Sequence, residues 1–265
     1  MYSVSVMKTK VTIVMPTLNQ LSYTQLAIES LFRNTDLPFN LTIVDNGSGE
    51  DTIVKMKSWS KHGLCQSLKV ITLGENRGYP AACNVGMKRA RTPYVIIANN
   101  DLYFPPNWLS PLVSVMDSDP WIGAVGPASN YAVGEQTVTI PFEFREMAPK
   151  SIGGDYQSKL DTFASEFMAA NQWARPATNS LVGFCLLIRR KALQHVGFMD
   201  ERFFPGQYDD VDLNYRLVTS AWKTMFCPAS FVYHFGHATF EGEGISAVEA
   251  LNINRERFNN KWGIK

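Results

Sequence analysis

Asp101 closes the run Tyr94-Val95-Ile96-Ile97-Ala98-Asn99-Asn100-Asp101, where an apolar strand stops and polar groups begin. A lone carboxylate flanked by two amides can be an oxygen ligand for Mg²⁺ or Mn²⁺. Asn and Asp also form turns and helix caps, and on these residues alone the two readings weigh equally. A second acidic group, Asp209, Asp210 and Asp212, lies far away in the chain. Neighbouring carboxylates raise each other's pKa, which suits one of them to take a proton from a hydroxyl as general base. The plainer reading is a solvated helix start, where acids are favoured by the helix dipole. His234 and His237 form an HxxH pair without cysteines or further histidines, a weak metal signal whose plainer reading is two structural histidines. Arg77 and Lys88 could offset phosphate charge, although either is more often a surface cation. Asp45 could accept a hydrogen bond from a nucleobase or ribose, or form a turn beside Asn46-Gly47.

These residues need a scaffold that brings strand ends together. Residues 11–15 read as a buried strand ended by Pro16-Thr17-Leu18-Asn19. A helix over 21–33 follows, with Ala27, Leu31 and Asn34 towards the sheet and Leu26, Ser30 and Arg33 turned away. Residues 41–44 form a second strand, 50–60 a polar helix, 68–73 a third strand and 80–89 a third helix, before the strand at 94–98. Strands alternating with helices imply right-handed βαβ units and a mostly parallel sheet. The strand ends share one rim, so Thr17, Asp45, Arg77 and Asp101 are expected to converge.

Further on, the pattern predicts a helix over 105–116 and a strand over 121–125 broken by Gly126-Pro127. Residues 127–178 are polar and irregular, apart from an amphipathic helix near 155–171 with Leu160, Phe163, Ala164, Phe167 and Met168 on one face. That stretch is a candidate acceptor-side subregion or lid; plain packing explains it as well. Residues 180–189 are strand-like, 191–196 a short helix ended by Gly197. A helix begins near Asp210, with Asp212 and Arg216 spaced to pair on its surface. Short strands at 223–227 and 231–233 and a charged helix at 247–262 complete the chain.

The 265 residues suffice for one substantial core. A formal net charge of +1 gives no sign of a bulk nucleic-acid partner. The opening lacks a secretory apolar region and no run approaches transmembrane length, so a cytoplasmic protein is expected, with peripheral membrane contact left open. Cys65, Cys83, Cys185 and Cys227 form no CxxC pair and read mostly as core thiols. Neither GxGxxG nor GxxxxGK[ST] occurs, which removes the dinucleotide fingerprint and the P-loop.

Taken in order, the motifs resemble the inverting glycosyltransferases of family 2, with the GT-A fold. The resemblance rests on Pro16-Thr17-Leu18-Asn19, Val44-Asp45-Asn46-Gly47-Ser48, and Asn76-Arg77-Gly78-Tyr79 followed by Asn84 and Gly86. It continues with Asn99-Asn100-Asp101 in the place of a DxD-like motif, and Asp209-Asp210-Val211-Asp212-Leu213 with Arg216 in the place of the acidic motif. It covers most of the chain, and Phe258-Asn259-Asn260-Lys261-Trp262 resembles the end of rhamnosyltransferase-like members. The fold it implies is α/β: a Rossmann-like, mostly parallel central sheet with helices on both faces and a C-terminal acceptor-side subregion. One domain over 1–265 would divide into a nucleotide-sugar half (10–126), an acceptor and catalytic half (127–240) and a helical tail (241–265).

The resemblance also implies roles. Pro16, Thr17, Asn19, Asp45, Asn46, Arg77, Gly78, Asn84, Asn99 and Asn100 would bind the nucleotide sugar. Asp101 would hold Mn²⁺ or Mg²⁺ together with His234. Asp210, or its neighbour Asp209, would be the general base. The first acid of DxD is Asn99 here, leaving a single carboxylate. The implied partners are a UDP- or dTDP-linked sugar and a hydroxyl-bearing acceptor: a glycan, a lipid-linked molecule or another hydroxyl compound. A nucleotidyltransferase would need a basic glycine-rich loop where this chain has Met15-Pro16-Thr17-Leu18-Asn19-Gln20. An inactive sugar-nucleotide- or glycan-binding protein, and a transferase acting on a modified nucleobase or a peptide, are the remaining alternatives.

Overall fold

The computed structural model describes residues 8–145, 147–236 and 242–264. Its elements run β1 Val11–Thr17, α1 Leu21–Asn34, β2 Phe39–Asp45, α2 Glu50–Lys57, β3 Cys65–Thr72, α3 Tyr79–Arg89 and β4 Tyr94–Ala98. After these come β5 Leu102–Tyr103, α4 Leu109–Ser118, β6 Ile122–Ala128, α5 Gly154–Ala170, β7 Cys185–Arg189 and α6 Arg190–Val196. The chain ends in α7 Asp209–Thr219, β8 Lys223–Phe231, β9 Tyr233–His234 and a last helix, α8, Ala247–Trp262.

Seven strands form one sheet in the order β3-β2-β1-β4-β7-β6-β8. The pairs within β3-β2-β1-β4 are parallel, as is β6 with β8. β7 runs antiparallel to both β4 and β6. Successive side chains of a strand point to opposite faces, so β1 feeds two cores. Ile13 and Met15 pack with Ala27 and Leu31 of α1 and Leu112 of α4. Val14 packs on the other face with Cys83 and Met87 of α3, Leu160 of α5 and Leu213 of α7. Helices therefore cover both faces. Each fully buried Leu or Ile contributes on the order of 2 kcal/mol.

Two predicted breaks are not breaks. β1 continues through Pro16 to Thr17, and β6 through Gly126-Pro127 to Ala128. β1 stays paired with β2 to Thr17 but loses β4 after Val14. β6 stays paired with β8 but loses β7 after Val125. Each proline thus lies where only one neighbouring strand remains, and a missing N–H costs least there. β6 also runs across residue 126, so the two suggested halves share one sheet.

Other expectations shift as well. Leu26 and Ser30 are buried rather than turned away. Ser30 Oγ accepts from Phe104 N at 3.2 Å and donates to the Ala27 carbonyl at 2.9 Å, which satisfies it inside. Residues 105–108 precede α4 instead of opening it. β8 runs on to Phe231, beyond the expected 223–227, and the second expected strand, 231–233, is displaced to β9 at Tyr233–His234. Residues 180–184 lead into β7 without joining it. All four cysteines are buried and free. Among the described residues, no helix is long and apolar enough to cross a membrane.

Candidate active site

The two-residue strands β5 and β9 build the centre of the site. They pair antiparallel, with Leu102 opposite His234, and Phe235 N donates to the Asp101 carbonyl at 3.0 Å. This brings His234 Nε2 to 3.3 Å from Asp101 Oδ1, across 133 residues of chain. Asn130 clamps the backbone of His234 from both sides: its Nδ2 donates to the carbonyl at 2.9 Å and its Oδ1 accepts the N–H at 2.8 Å. The imidazole stacks on Phe184, with ring centres 5.3 Å apart. Nδ1 lies 2.9 Å from the Tyr131 carbonyl, which can only accept, so Nδ1 carries a hydrogen and Nε2 turns towards Asp101 and Asn99. Burial alone would lower the imidazole's pKa. The Asp101 charge, its hydrogen bond and the Tyr131 carbonyl outweigh that effect, and the net direction is upward. His237 lies outside the described residues.

The acidic group sits at the first turn of α7. The loop before it is held from two directions. Tyr79 N donates to the Pro205 carbonyl at 2.8 Å, and Asn254 Nδ2 of α8 donates to the carbonyls of Gly206 at 2.6 Å and Gln207 at 3.0 Å. Asp210 Oδ2 accepts from Gly183 N at 2.7 Å and Oδ1 from Val211 N at 2.8 Å. A side chain at Gly183 would lie 2.9 Å from Asp210 Cβ, so this close approach requires glycine. Burial raises the pKa of Asp210, and its backbone donors partly offset the rise. Asp209 is more deeply placed; burial first, and the charge of Asp210 second, push it up to about 8.

Asp212 differs from its neighbours. It is fully buried, with Arg216 Nε at 2.9 Å, Lys261 Nζ at 2.6 Å and Trp262 Nε1 at 2.9 Å. The predicted Asp212–Arg216 pair exists, but as an interior clamp between α7 and α8 rather than at the surface.

A cavity of about 520 Å³ opens at the carboxyl ends of the parallel strands. Of the sequence-derived candidates, Pro16, Thr17, Asn46, Asn99, Asn100, Asp101, Asp209, Asp210 and His234 line it. Asn46 Nδ2 donates to Asn76 Oδ1 at 3.0 Å, and its Oδ1 accepts from Arg77 N at 2.9 Å, tying two strand-end loops together. Asn100 Nδ2 donates to Thr24 Oγ1 at 2.9 Å. Asn19 brackets the rim, with Oδ1 accepting from Gly49 N at 3.0 Å and Nδ2 donating to Glu243 Oε1 at 2.6 Å. Asp45 is wholly buried behind Asn46; its Oδ1 accepts from Ser48 N at 3.1 Å and its Oδ2 has no hydrogen-bond partner among the described residues.

Other candidates stand outside the lining. Arg77 is exposed, so the expected convergence of Thr17, Asp45, Arg77 and Asp101 brings only Thr17 and Asp101 to the cavity wall. Lys88 lies on α3 at 4.0 Å from Glu201. Gly78 shapes the start of α3: its φ is +85° and a Cβ would meet the Phe204 ring at 2.7 Å. Asn84 is buried and spends its amide on Met199 O at 2.8 Å, Met199 N at 3.0 Å and Glu201 Oε1 at 2.9 Å. Sequence reasoning missed Tyr131, Gly183 and Phe184, whose only signals were an aromatic in an irregular stretch and a glycine before a strand. Tyr79 stands in the Asn76-Arg77-Gly78-Tyr79 motif, which by itself gives it no role.

Solved structures define the fold. The mannosyltransferase PcManGT from Pyrobaculum calidifontis, solved with GDP-Man and Mn²⁺, superposes with a TM-score of 0.60 over 86% of this chain and 57% of that one, at 18% identity. GalNAc-T7, solved with UDP, GalNAc and Mn²⁺, gives 0.61 over 85% and 44%, at 16% identity. The fold is GT-A. Residues 12–197 match the family described as glycosyl transferase family 2, and the chain belongs to that family. It is 28% identical over 236 residues to the N-acetylglucosaminyl-diphospho-decaprenol L-rhamnosyltransferase of Mycobacterium tuberculosis H37Rv, spanning 80% of this chain and 72% of that protein. It is also 25% identical to the O-antigen biosynthesis protein RfbC of Myxococcus xanthus, over 91% of this chain and 18% of that much longer one.

Proposed function

We propose that the protein moves a sugar from a nucleoside diphosphate to a hydroxyl group, inverting the anomeric carbon. The observation that carries this reading is the make-up of the cavity wall. Asp101, Asp209, Asp210 and His234 lie among amides, and no Lys or Arg is among the described lining residues. A diphosphate entering such a site meets carboxylates, so its charge calls for a divalent cation. The donor set of Asp101 and His234 fits one: a hard carboxylate oxygen beside an imidazole whose Nδ1 is turned to a carbonyl, the arrangement typical of ligating histidines. Among the described residues no group of three or more His, Cys, Asp or Glu forms a fuller metal site. Asp101 and His234 would hold Mn²⁺ or Mg²⁺, which when bound acts as a Lewis acid on the departing diphosphate.

Asp210 is the general base. It is partly open to the cavity, and two backbone N–H groups hold its charged form, while Asp209 beside it stays protonated near neutrality. The acceptor oxygen attacks the anomeric carbon as Asp210 takes its proton. The bond from that carbon to the diphosphate oxygen breaks, and the electron pair leaves with the diphosphate. One displacement inverts the centre. Pro16, Thr17 and Asn46 would border the base and ribose, with Asn19, Arg77, Gly78 and Asn84 supporting the loops around them. Asp45 stays behind Asn46, off the cavity wall, and a UDP- or dTDP-linked donor is proposed from the resemblance alone.

The mycobacterial relative's name specifies rhamnosyl transfer to a diphospho-decaprenol-linked acceptor. A deoxyhexose and a lipid-linked acceptor are the corresponding proposal here. The exposed apolar residues Val133, Val248 and Leu251 in the cavity lining support it. The test is a panel of nucleotide sugars with wild type and Asp210→Asn. The substitution should retain donor binding and lose roughly 10²–10⁴-fold in kcat. Full turnover by Asp210→Asn would overturn the assignment of the base and move it to Asp209.

A further inference from the structure

Tyr79 opens α3, half-buried, with its side chain on the cavity wall. Its hydroxyl reaches two segments that the chain brings together from far apart. Its single hydrogen is shared between Asn99 Oδ1 at 2.8 Å and the Gly183 carbonyl at 3.3 Å. Its backbone N–H holds a third segment, the loop into α7, through Pro205 at 2.8 Å. The consequences on the two sides differ. On one side, an Asn99 amide whose oxygen is taken by Tyr79 must present Nδ2 elsewhere, and Nδ2 lies 3.4 Å from His234 Nε2. That contact places the amide beside the nitrogen assigned to the metal, the other ring nitrogen being occupied by the Tyr131 carbonyl. On the other side, Gly183 is the residue whose N–H holds Asp210 Oδ2 at 2.7 Å.

The geometry points to Tyr79 as a positioning residue that couples the two ends of the reaction centre. Through Asn99 it orients the amide facing His234, and through the Gly183 carbonyl it steadies the residue whose N–H, on the preceding peptide, holds Asp210. This rests on the transfer reaction proposed above. A residue that only filled space would not need its hydroxyl. Phe would serve as well at this position, since the ring packs in the same place. Tyr79 reaches neither reacting atom by any contact in the structure, so its effect runs through its partners. Burial raises the phenol's pKa well above the usual range, in keeping with a hydroxyl that stays protonated and donates.

Tyr79→Phe removes the hydroxyl and keeps the ring. Three readouts separate coupling from packing. Turnover should fall about tenfold, the fold-change of one buried hydrogen bond, while donor affinity by calorimetry changes less than about twofold. In a double-mutant cycle with Asn99→Ala the two losses should be strongly non-additive, because both remove the same link. The third readout needs no substrate: carboxyl ¹³C NMR should show Asp210 titrating at higher pH in Tyr79→Phe, because its Gly183 donor is less firmly held. The ionisable neighbours of Asp210 in that comparison are Asp209 on its own helix and Tyr79 itself. An unmoved Asp210 titration together with additive kinetic losses would overturn the proposal. A shifted titration in a protein that transfers no sugar would uphold the coupling and defeat the transfer reading instead.

Discussion

Asp209 and Asp210 show how position sets the chemistry of identical side chains. They are adjacent in sequence and both border the cavity, yet Asp209 is almost wholly buried while Asp210 is partly exposed, with two N–H donors on its oxygens. The pKa of Asp209 rises from an ordinary 3.8 to about 8. A carboxyl whose folded pKa is raised favours the folded state while both states are protonated. That advantage is lost as pH rises from the unfolded value through the folded one. Unfolding midpoints should therefore fall between about pH 4 and pH 8, with a slope of up to about 1.4 kcal/mol per pH unit from this one group. Asp209→Asn should flatten the slope over the same window. Urea titrations at several pH values measure this, and an unchanged slope in Asp209→Asn would show that another group is responsible. The acids were visible in the sequence as a cluster. Their division into a buried partner, an accessible base and the interior clamp Asp212 was not, because all three fall within one helical turn, where rotation about the axis decides burial.

At the scale of elements, α8 acts as a brace. Asn254 holds the loop before α7, Lys261 and Trp262 hold Asp212 inside it, and Ala247, Val248 and Leu251 form part of the cavity wall. The helix is well specified locally. Ser246 caps it by accepting from Glu249 N at 3.2 Å, and Gly263 ends it in the left-handed region at φ +64°. Its position is tied to a buried charge cluster in which Lys261 also pairs with Asp200 at 2.8 Å and Arg216 also donates to the Val196 and Phe198 carbonyls at 2.7 and 2.8 Å. Asp212→Ala leaves Arg216 and Lys261 without their shared carboxylate and should destabilise the protein by roughly 3–5 kcal/mol, measured by denaturant unfolding. A loss below about 1 kcal/mol would mean that the cluster is solvated and α8 held by packing alone. Lys261→Met keeps the stem length and should cost less, since Arg216 remains on Asp212.

At the scale of the molecule, the parallel half and the antiparallel β7 meet at the cavity, so a ligand there touches strand ends from both parts of the sheet. A ligand that binds only the folded state stabilises it by about 2.7 kcal/mol at one hundred times its Kd. A nucleoside diphosphate with Mn²⁺ should therefore raise the melting temperature by several degrees. The same nucleotide with a chelator should give little shift, because the described cavity wall offers no Lys or Arg to the diphosphate. Equal stabilisation in both conditions would remove the metal from the donor site.

The sequence by itself determined the alternation of strands and helices, the polar strand ends, the helix at 247–262 and the family. These follow from local periodicity, turn chemistry and motif order, all of which are properties of nearby residues. It could not show that β1 and β6 run through prolines, since that depends on which neighbouring strand has already ended. Nor could it pair Asp101 with His234. β5 and β9 are two residues each, too short to carry a period, and they exist only because the sheet brings residues 101 and 234 side by side. The same holds for Tyr79, Asn99, Gly183 and Asp210: four segments that meet because the folding of the whole chain places their ends on one rim.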